Sequence, residues 1–443
     1  MSDALPLPPR PNLGQYKKLA KDLQQACKSG ERSAICNWAA GWAETLARLQ
    51  GLEITPEVRR EIHRNEQRVE RQWHNIHNAN QDVARCTLAR AQFFVARCHG
   101  FASWPKFVKH LEGLTRTNSP VSKFERAVDA IVNGEVGTLS NLLSENPELV
   151  RARSTREHRS TLLHYISANG IEDFRQKTPN NIVDIANVLL QAGADVNAES
   201  NAYGGRSATL GLTATSCHPE EAGVQIALMD LLINRGAVID GPDGGSAVVG
   251  SLRNGRGEAA EFFAKHGARL DLEGAAGVGR LDIVKSFFND DGSLRPPATP
   301  EQMMNGFAWA CEFGRTAVVD FLLQKGMQVD ARLPHHGQIG LHWAAAGGHA
   351  NTVKLLLERG SPVNAKDGSF DGTPLDWALY AWGNSPGRIE RGHYYEVVAL
   401  LVRAGAKLDS RWFEEGDEER CHAVQKVRSD SRMQASLRGE MQT

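Results

Sequence analysis

Long apolar runs are missing from this chain. Nowhere do its 443 residues approach the roughly 18 consecutive apolar residues that a membrane-spanning helix requires. The opening stretch, MSDALPLPPRPNLG, has no basic segment followed by an apolar core, so a secretory leader is not expected. Cysteine is scarce. The seven copies, Cys27, Cys36, Cys86, Cys98, Cys217, Cys311 and Cys421, are odd in number and scattered, and none forms a CxxC pair. Neither a disulfide framework nor a structural zinc site is expected, and a reducing, cytoplasmic location fits. Net charge is close to nil at −1, which excludes a general attraction for nucleic acid or anionic lipid. Catalytic phrases are lacking too. GxxxxGKS/T and HExxH do not occur, and Gly277-Val278-Gly279 has no third glycine behind it. No cofactor, metal site, catalytic residue or enzymatic activity is expected.

What is present is repetition. A helical apolar run followed by Gly, a small residue, two variable positions and Asp or Asn recurs six times: LLQAGADVN, LLINRGAVID, FFAKHGARLD, FLLQKGMQVD, LLLERGSPVN and LLVRAGAKLD. The glycines stand at 193, 236, 267, 326, 360 and 405, giving steps of 43, 31, 59, 34 and 45. The step of 59 holds a further copy, LDIVKSFF, without the usual ending. A second phrase precedes each run, most clearly in LHWAAAGGHANTVKLLLERG. Thr373 can cap a helix whose first turn holds Pro374. Ala344 and Ala345 allow close helix approach, Gly347 and Gly348 end the first helix, and Val353, Leu356 and Leu357 supply an apolar stripe. One such helix pair cannot bury its own apolar face, so the pairs must stack.

These phrases resemble the ankyrin repeat, whose core wording is G-x-TPLH-x-AA-x-x-GH-x-x-x-V-x-LLL-x-x-GA-x-x-N. The resemblance implies an all-α solenoid of helix-turn-helix pairs with short hairpin-like loops, acting as a protein-binding surface. About eight repeats start near Ser122, Ser160, Ala208, Ser246, Leu272, Phe307, Ile339 and Thr373. The wording varies: His164 and His342 hold the TPLH histidine position, Gly211 and Asp376 replace it elsewhere, and Gly340 replaces the proline beside His342. His342 and His349 match structural histidines of the family. Three repeats carry extra residues between their helices: IEDFRQKTPNN, CHPEEAGV and GNSPGRIERGH. They are expected to be edge loops and tolerated insertions.

The expected organisation is a Pro-rich flexible N-terminus over 1–12, a helical segment over 13–117, the array over 118–410, and a charged cap or tail over 411–443. In the second part, Trp38, Trp42, Leu46 and Leu49 follow an amphipathic helical spacing, and Thr55-Pro56 marks a helix start. RTNSPVS reads as a hinge to the array. RPNLGQYKKLAKDL and LARAQFFVARCHGFASWPKFVKHLE resemble the N-terminal segment of some bacterial ankyrin-repeat proteins, a likeness that implies no chemistry. Residues 1–120 carry 18 Lys/Arg against 11 Asp/Glu, or +7. An alternative reading follows: a nucleic-acid-associated regulator binding through Arg59, Arg60, Arg64, Arg68 and Arg71. Glu57, Glu61, Glu66 and Glu70 are interleaved with these at helical spacing, which favours internal ion pairs over a phosphate-binding stripe. His63, His74 and His77 share a helix face and read as solvated.

The main expectation is a non-catalytic interaction scaffold with an unidentified protein partner. Trp309, Trp343 and Trp377 are spaced 34 and 34, at one position of three successive repeats, and Tyr165 holds that position in the second repeat. Stacking would align the tryptophans as inter-repeat packing or as a strip for a partner. The candidate contacts are these three with His335, His336, Gln338, Lys366, Phe370 and Asp371.

Overall fold

The computed structural model describes residues 4–8, 11–78, 86–241, 245–333, 337–384, 393–409 and 418–440. The chain divides into two compact bodies, Met1–Val238 and Ile239–Thr443.

The N-terminal body begins with five helices, α1 (Leu13–Ser29), α2 (Arg32–Leu49), α3 (Pro56–Asn78), α4 (Leu88–Cys98) and α5 (Trp104–Leu114). Asn12 caps α1, its side-chain oxygen accepting from Gly14 N at 2.7 Å. Thr87 caps α4 in the same way. Trp42 and Leu46 of the amphipathic stripe are buried. They join a cluster in which Tyr16 meets Trp42 and Phe107 edge-on at 5.4 and 4.9 Å, and His99 stacks on Phe107 at 5.2 Å. Residues 4 and 5 are not part of a free lead as the sequence suggests. Ala4 and Leu5 are buried, and Leu5 is fastened to α4 by N–H to Cys98 O at 2.6 Å and C=O to His99 Nδ1 at 3.0 Å. Apolar Ala4 and Leu5 outweigh the neighbouring prolines.

The expectation of unpaired cysteines is also corrected. Cys27, in the last turn of α1, and Cys86, just before α4, form a disulfide with Cα atoms 5.7 Å apart. Helices α1 and α4 pack together, which brings near each other two cysteines 59 residues apart in sequence.

Three helix pairs follow in this body: α6 (Pro120–Val132) with α7 (Val136–Glu145), the 3-10 turn Leu162–Ser167 with α8 (Ile182–Gln191), and α9 (Thr209–Thr215) with α11 (Gln225–Asn234), the short α10 (Cys217–Glu221) lying between them. A two-stranded antiparallel ribbon pairs Glu199–Ser200 with Ser207–Ala208. The expected hinge at 116–122 is a packed junction. Ser119 caps α6 and donates to Gly113 O at 2.6 Å, and a Cβ on Gly113 would come within 2.8 Å of Val121.

The C-terminal body holds five pairs: α12 (Ala247–Arg253) with α13 (Gly257–Lys265), α14 (Leu272–Gly277) with α15 (Leu281–Ser286), α16 (Pro300–Glu312) with α17 (Thr316–Gln324), α18 (Gly340–Ala346) with α19 (Ala350–Glu358), and α20 (Pro374–Asn384) with α21 (Tyr394–Arg403). Small residues let first helices approach. Ala344, Ala345 and Ala378 are fully buried, and a Cβ on Gly340 would strike Phe307 at 2.8 Å and Cys311 at 2.9 Å. That contact explains why glycine stands where the repeat wording has proline. Two C-terminal helices, α22 (Glu418–Ser429) and α23 (Ser431–Leu437), close the last pair with buried Ala423 and Met433. Trp412, Phe413 and residues 385–392 of the last insertion lie outside the described residues.

The recurring letters have mechanical roles. Gly360 and Gly405 adopt φ of 83° and 93°, the left-handed C-terminal stop that side chains disfavour. The Asn or Asp closing the phrase ties its loop to the next repeat. Asn364 donates to Gly405 O and accepts from Lys407 N, each at 2.9 Å. Asn197 repeats this with Gly236 O and Val238 N at 2.9 Å, and Asp240 accepts from Arg269 N at 2.7 Å. His342 Nδ1 accepts from Ile339 N at 3.2 Å while its Nε2 donates to Gly372 O at 3.1 Å. It therefore caps its own helix and holds the next loop. His164 does likewise with Thr161 N at 3.1 Å and Ser207 O at 3.2 Å. His349 Nε2 donates to Glu312 O at 2.7 Å. Where Asp376 replaces the histidine, it keeps the cap, accepting from Thr373 N and Oγ1 at 2.8 Å.

Candidate functional site

Stacking of α16, α18 and α20 brings Trp309, Trp343 and Trp377 into a ladder. Ring centroids are 6.4 Å apart for the first pair and 5.3 Å for the second, both edge-to-face. All three rings are half-buried. The outer two are locked by their N–H groups, Trp309 Nε1 donating to Glu273 Oε1 at 2.9 Å and Trp377 Nε1 to Asp367 Oδ2 at 3.0 Å. Trp343 Nε1 is buried with no partner among the described residues, so the middle ring carries an unmet donor. Tyr165 departs from the pattern. It is fully buried and donates to Glu172 Oε1 at 3.3 Å.

Beside the ladder, Asp367 organises the loop at 366–372. Its carboxylate accepts from Ser369 N at 2.8 Å, Phe370 N at 2.7 Å and Gly372 N at 3.0 Å. Burial opposes its charge, but these N–H groups and the Trp377 indole outweigh it and hold the carboxyl below the usual range. The loop thus has a fixed shape and leaves Phe370 71% exposed. Lys366 Nζ and Asp371 Oδ2 pair across it at 2.6 Å, and Asp371 sits at φ 52°. The same Asp367 thus fixes both Trp377 and the backbone that presents Phe370.

Gln338 requires a correction. It is 1% exposed and cannot serve as a surface contact. The chain closes between Leu333 N and Gln338 O at 2.8 Å, and the amide is carried inside, with neither Nε2 nor Oε1 partnered among the described residues. His335 and His336 lie outside the described residues.

A second concentration of chemistry was invisible in the sequence. Arg156 bonds Glu125 at 2.8 Å and Glu172 at 2.9 Å, and Arg175 bonds Glu125 at 2.6 Å and Asp129 at 2.7 Å. His158 lies 3.4 Å from Glu172. Glu172 is fully buried and Arg156 2% exposed. Burial would raise the Glu172 carboxyl, but Arg156, His158 and Arg175 together hold it well below the usual range. Glu125 is drawn down to about 2 by Arg156 and Arg175, again against the burial effect. Glu172 and Arg175 belong to the insertion expected to be a tolerated edge loop. Its first part is instead core, and its Asp173 receives Arg68 of α3 at 2.8 Å. The cluster borders a cavity of about 250 Å³ lined by Gln72, Asn75, Arg97, Arg156, Glu157 and His158 among others. Arg97 pairs with Glu157, so the charges facing it are largely matched.

The basic face of α3 is similarly engaged in part, because Arg68 is committed to Asp173. His63 is bonded along its own helix, 3.2 Å from Glu66 and 2.9 Å from Gln67. The thiols of Cys98 and Cys311 are fully buried and pushed far above the normal range by burial, so they are unreactive as nucleophiles. No helix of the described residues is long and apolar enough to cross a membrane.

No curated protein sequence matches the chain. Among solved structures, the human ASB11 ankyrin repeat domain is similar at 20% identity, over 64% of this chain and 99% of that one, with a TM-score of 0.30. The family model for ankyrin repeats (3 copies) matches residues 272–367 and 307–411, the stretch that contains the tryptophan ladder and the loop carrying Phe370. The chain has the all-α ankyrin-repeat fold, and residues 272–411 carry the repeats that define it.

Proposed function

We propose that this protein is a non-catalytic interaction scaffold that grips a protein partner with the loop at 366–372 and the neighbouring tryptophan ladder. Ankyrin repeats are in general protein–protein interaction modules. The observation that carries the reading here is Phe370, a large apolar side chain 71% exposed on a backbone pinned by three hydrogen bonds to Asp367. A pre-ordered loop loses little entropy on binding, and aromatic side chains dominate interface energetics. The ladder adds half-buried aromatic surface. Lys366 and Asp371 supply a charged rim.

The test is quantitative affinity purification with the wild-type chain and with Phe370→Ala and Lys366→Glu, both on the surface and safe for folding. The reading expects one protein recovered in near-stoichiometric amount and depleted at least tenfold by Phe370→Ala. A recovered set that is indifferent to both substitutions contradicts it.

Nucleic-acid binding through α3 is the weaker alternative, since Arg68 is paired with Asp173. We assign a cytoplasmic location on the free thiols Cys98, Cys217 and Cys311. The Cys27–Cys86 bond weighs the other way, and thiol trapping at the moment of lysis decides between them.

A further inference from the structure

The insertion CHPEEAGV, between α9 and α11, folds into the single helical turn Cys217–Glu221. Residues three and four apart adjoin on a helix surface, so Glu221 neighbours both Cys217 and His218. The Cys217 thiol, a His218 ring nitrogen and a Glu221 carboxylate oxygen all lie within 4.8 Å of one another. Cys217 is a free thiol. Cys217 and His218 are half-buried, and Glu221 is exposed.

The backbone carrying these groups is braced. Gln225 Nε2 donates to the carbonyls of Thr213 and Ser216 at 3.0 Å each, and to Ala214 at 3.4 Å. Pro219 is buried beneath the turn, and Gly223, at φ 69°, ends it with N–H to Glu220 O at 2.9 Å. A plain spacer between two helices needs neither a thiol nor an imidazole.

The donor set selects the occupant. Thiolate sulfur and imidazole nitrogen suit borderline and soft divalent ions, whereas magnesium and calcium require oxygen ligands. A tetrahedral zinc-type ion with bonds of about 2.0–2.3 Å sets its ligands about 3.3–3.8 Å apart. Side-chain rotations of Cys217, His218 and Glu221 close the remaining difference on binding. Three protein ligands leave a fourth position for water or for a donor from outside the chain.

We propose that Cys217, His218 and Glu221 form a binding site for one divalent ion of the zinc class. On binding, the Cys217 S–H bond breaks, the proton passes to solvent, and the sulfur lone pair forms the metal bond, with no change of oxidation state.

Cobalt(II) is the probe. It is titrated into the full-length chain with Cys36→Ser and Cys421→Ser, which removes two competing cysteines. The expected result is one equivalent bound with a thiolate-to-cobalt charge-transfer band, release of one proton in weakly buffered solution, and displacement by zinc. Cys217→Ser abolishes the band, while His218→Ala and Glu221→Gln weaken binding about tenfold or more, as loss of a metal's supporting groups does. Circular dichroism of each variant verifies the fold. A titration with no charge-transfer band, or a band that survives Cys217→Ser, overturns the proposal.

Discussion

Glu172 is the residue on which most charge converges. Its partners Arg156 and Arg175 are nearly inaccessible, and Arg156 Nε and Arg175 Nε are already without partners among the described residues. Removing one member of a buried ion cluster leaves the others uncompensated, at about 3–5 kcal/mol. Glu172→Gln is therefore expected to lower unfolding stability by that amount in a denaturant titration. Asp173→Ala breaks only the half-exposed contact with Arg68 and is expected to cost about 1 kcal/mol or less. Equal effects of the two substitutions would contradict the ranking.

The buried histidines give a second prediction at the same scale. Burial lowers His99 from 6.5 to about 3, and His110 and His164 from 6.5 to about 4. The native state keeps these rings neutral, while the unfolded chain takes up protons as the pH falls below 6.5. Their stabilising effect is thus complete above that pH and is lost progressively on acidification towards pH 4 to 3. At pH 5 each ring costs up to about 2 kcal/mol. Thermal melts at pH 7.5 and 5.0 are expected to show a clear fall in Tm at the lower value. An unchanged Tm would mean that these rings titrate normally.

At the scale of elements, the letters that recur in the sequence are those with local mechanical work. Gly360 and Gly405 stop helices, and Asn364 ties one loop to the next. Such roles repeat with the chain and were legible from it. Asn364→Ala is expected to cost about 1–3 kcal/mol, because Gly405 O and Lys407 N lose their partner. A smaller loss, with water satisfying both exposed groups, would argue against the clamp. Gly340→Pro, which restores the usual wording, is expected to destabilise by about 1–3 kcal/mol, since Phe307 and Cys311 occupy the space. What the sequence concealed were contacts made once. Glu125 meets Arg156 and Arg175 across separations of 31 and 50 residues, and no periodic pattern marks them. Gln338 looked like a loop contact because polarity suggests exposure, yet loop closure buries it. Cys27 and Cys86 lie in a segment with no internal repeat to fix their distance. The ladder was legible because its spacing equals that of the repeat, whereas the fixed shape of the loop under Phe370 depends on Asp367, which spacing does not single out.

In the whole molecule, repeated elements carry packing, and chemistry is exposed at a small number of places. The two parts of the chain richest in buried charge and in aromatic surface do different things. In Met1–Val238, Glu125, Arg156, Glu172 and Arg175 are turned inward and paired with one another. In Ile239–Thr443, aromatic rings are held at the surface by buried carboxylates, Glu273 and Asp367. The first arrangement supports a structural role and the second a binding one. The most direct measurement places a photo-crosslinking amino acid at position 370 in one sample and at the exposed Lys265 in another, with illumination in cells and identification of the product by mass spectrometry. The account predicts one discrete protein adduct from position 370 and none from position 265. Adducts that are diffuse, or equal at the two positions, would contradict it.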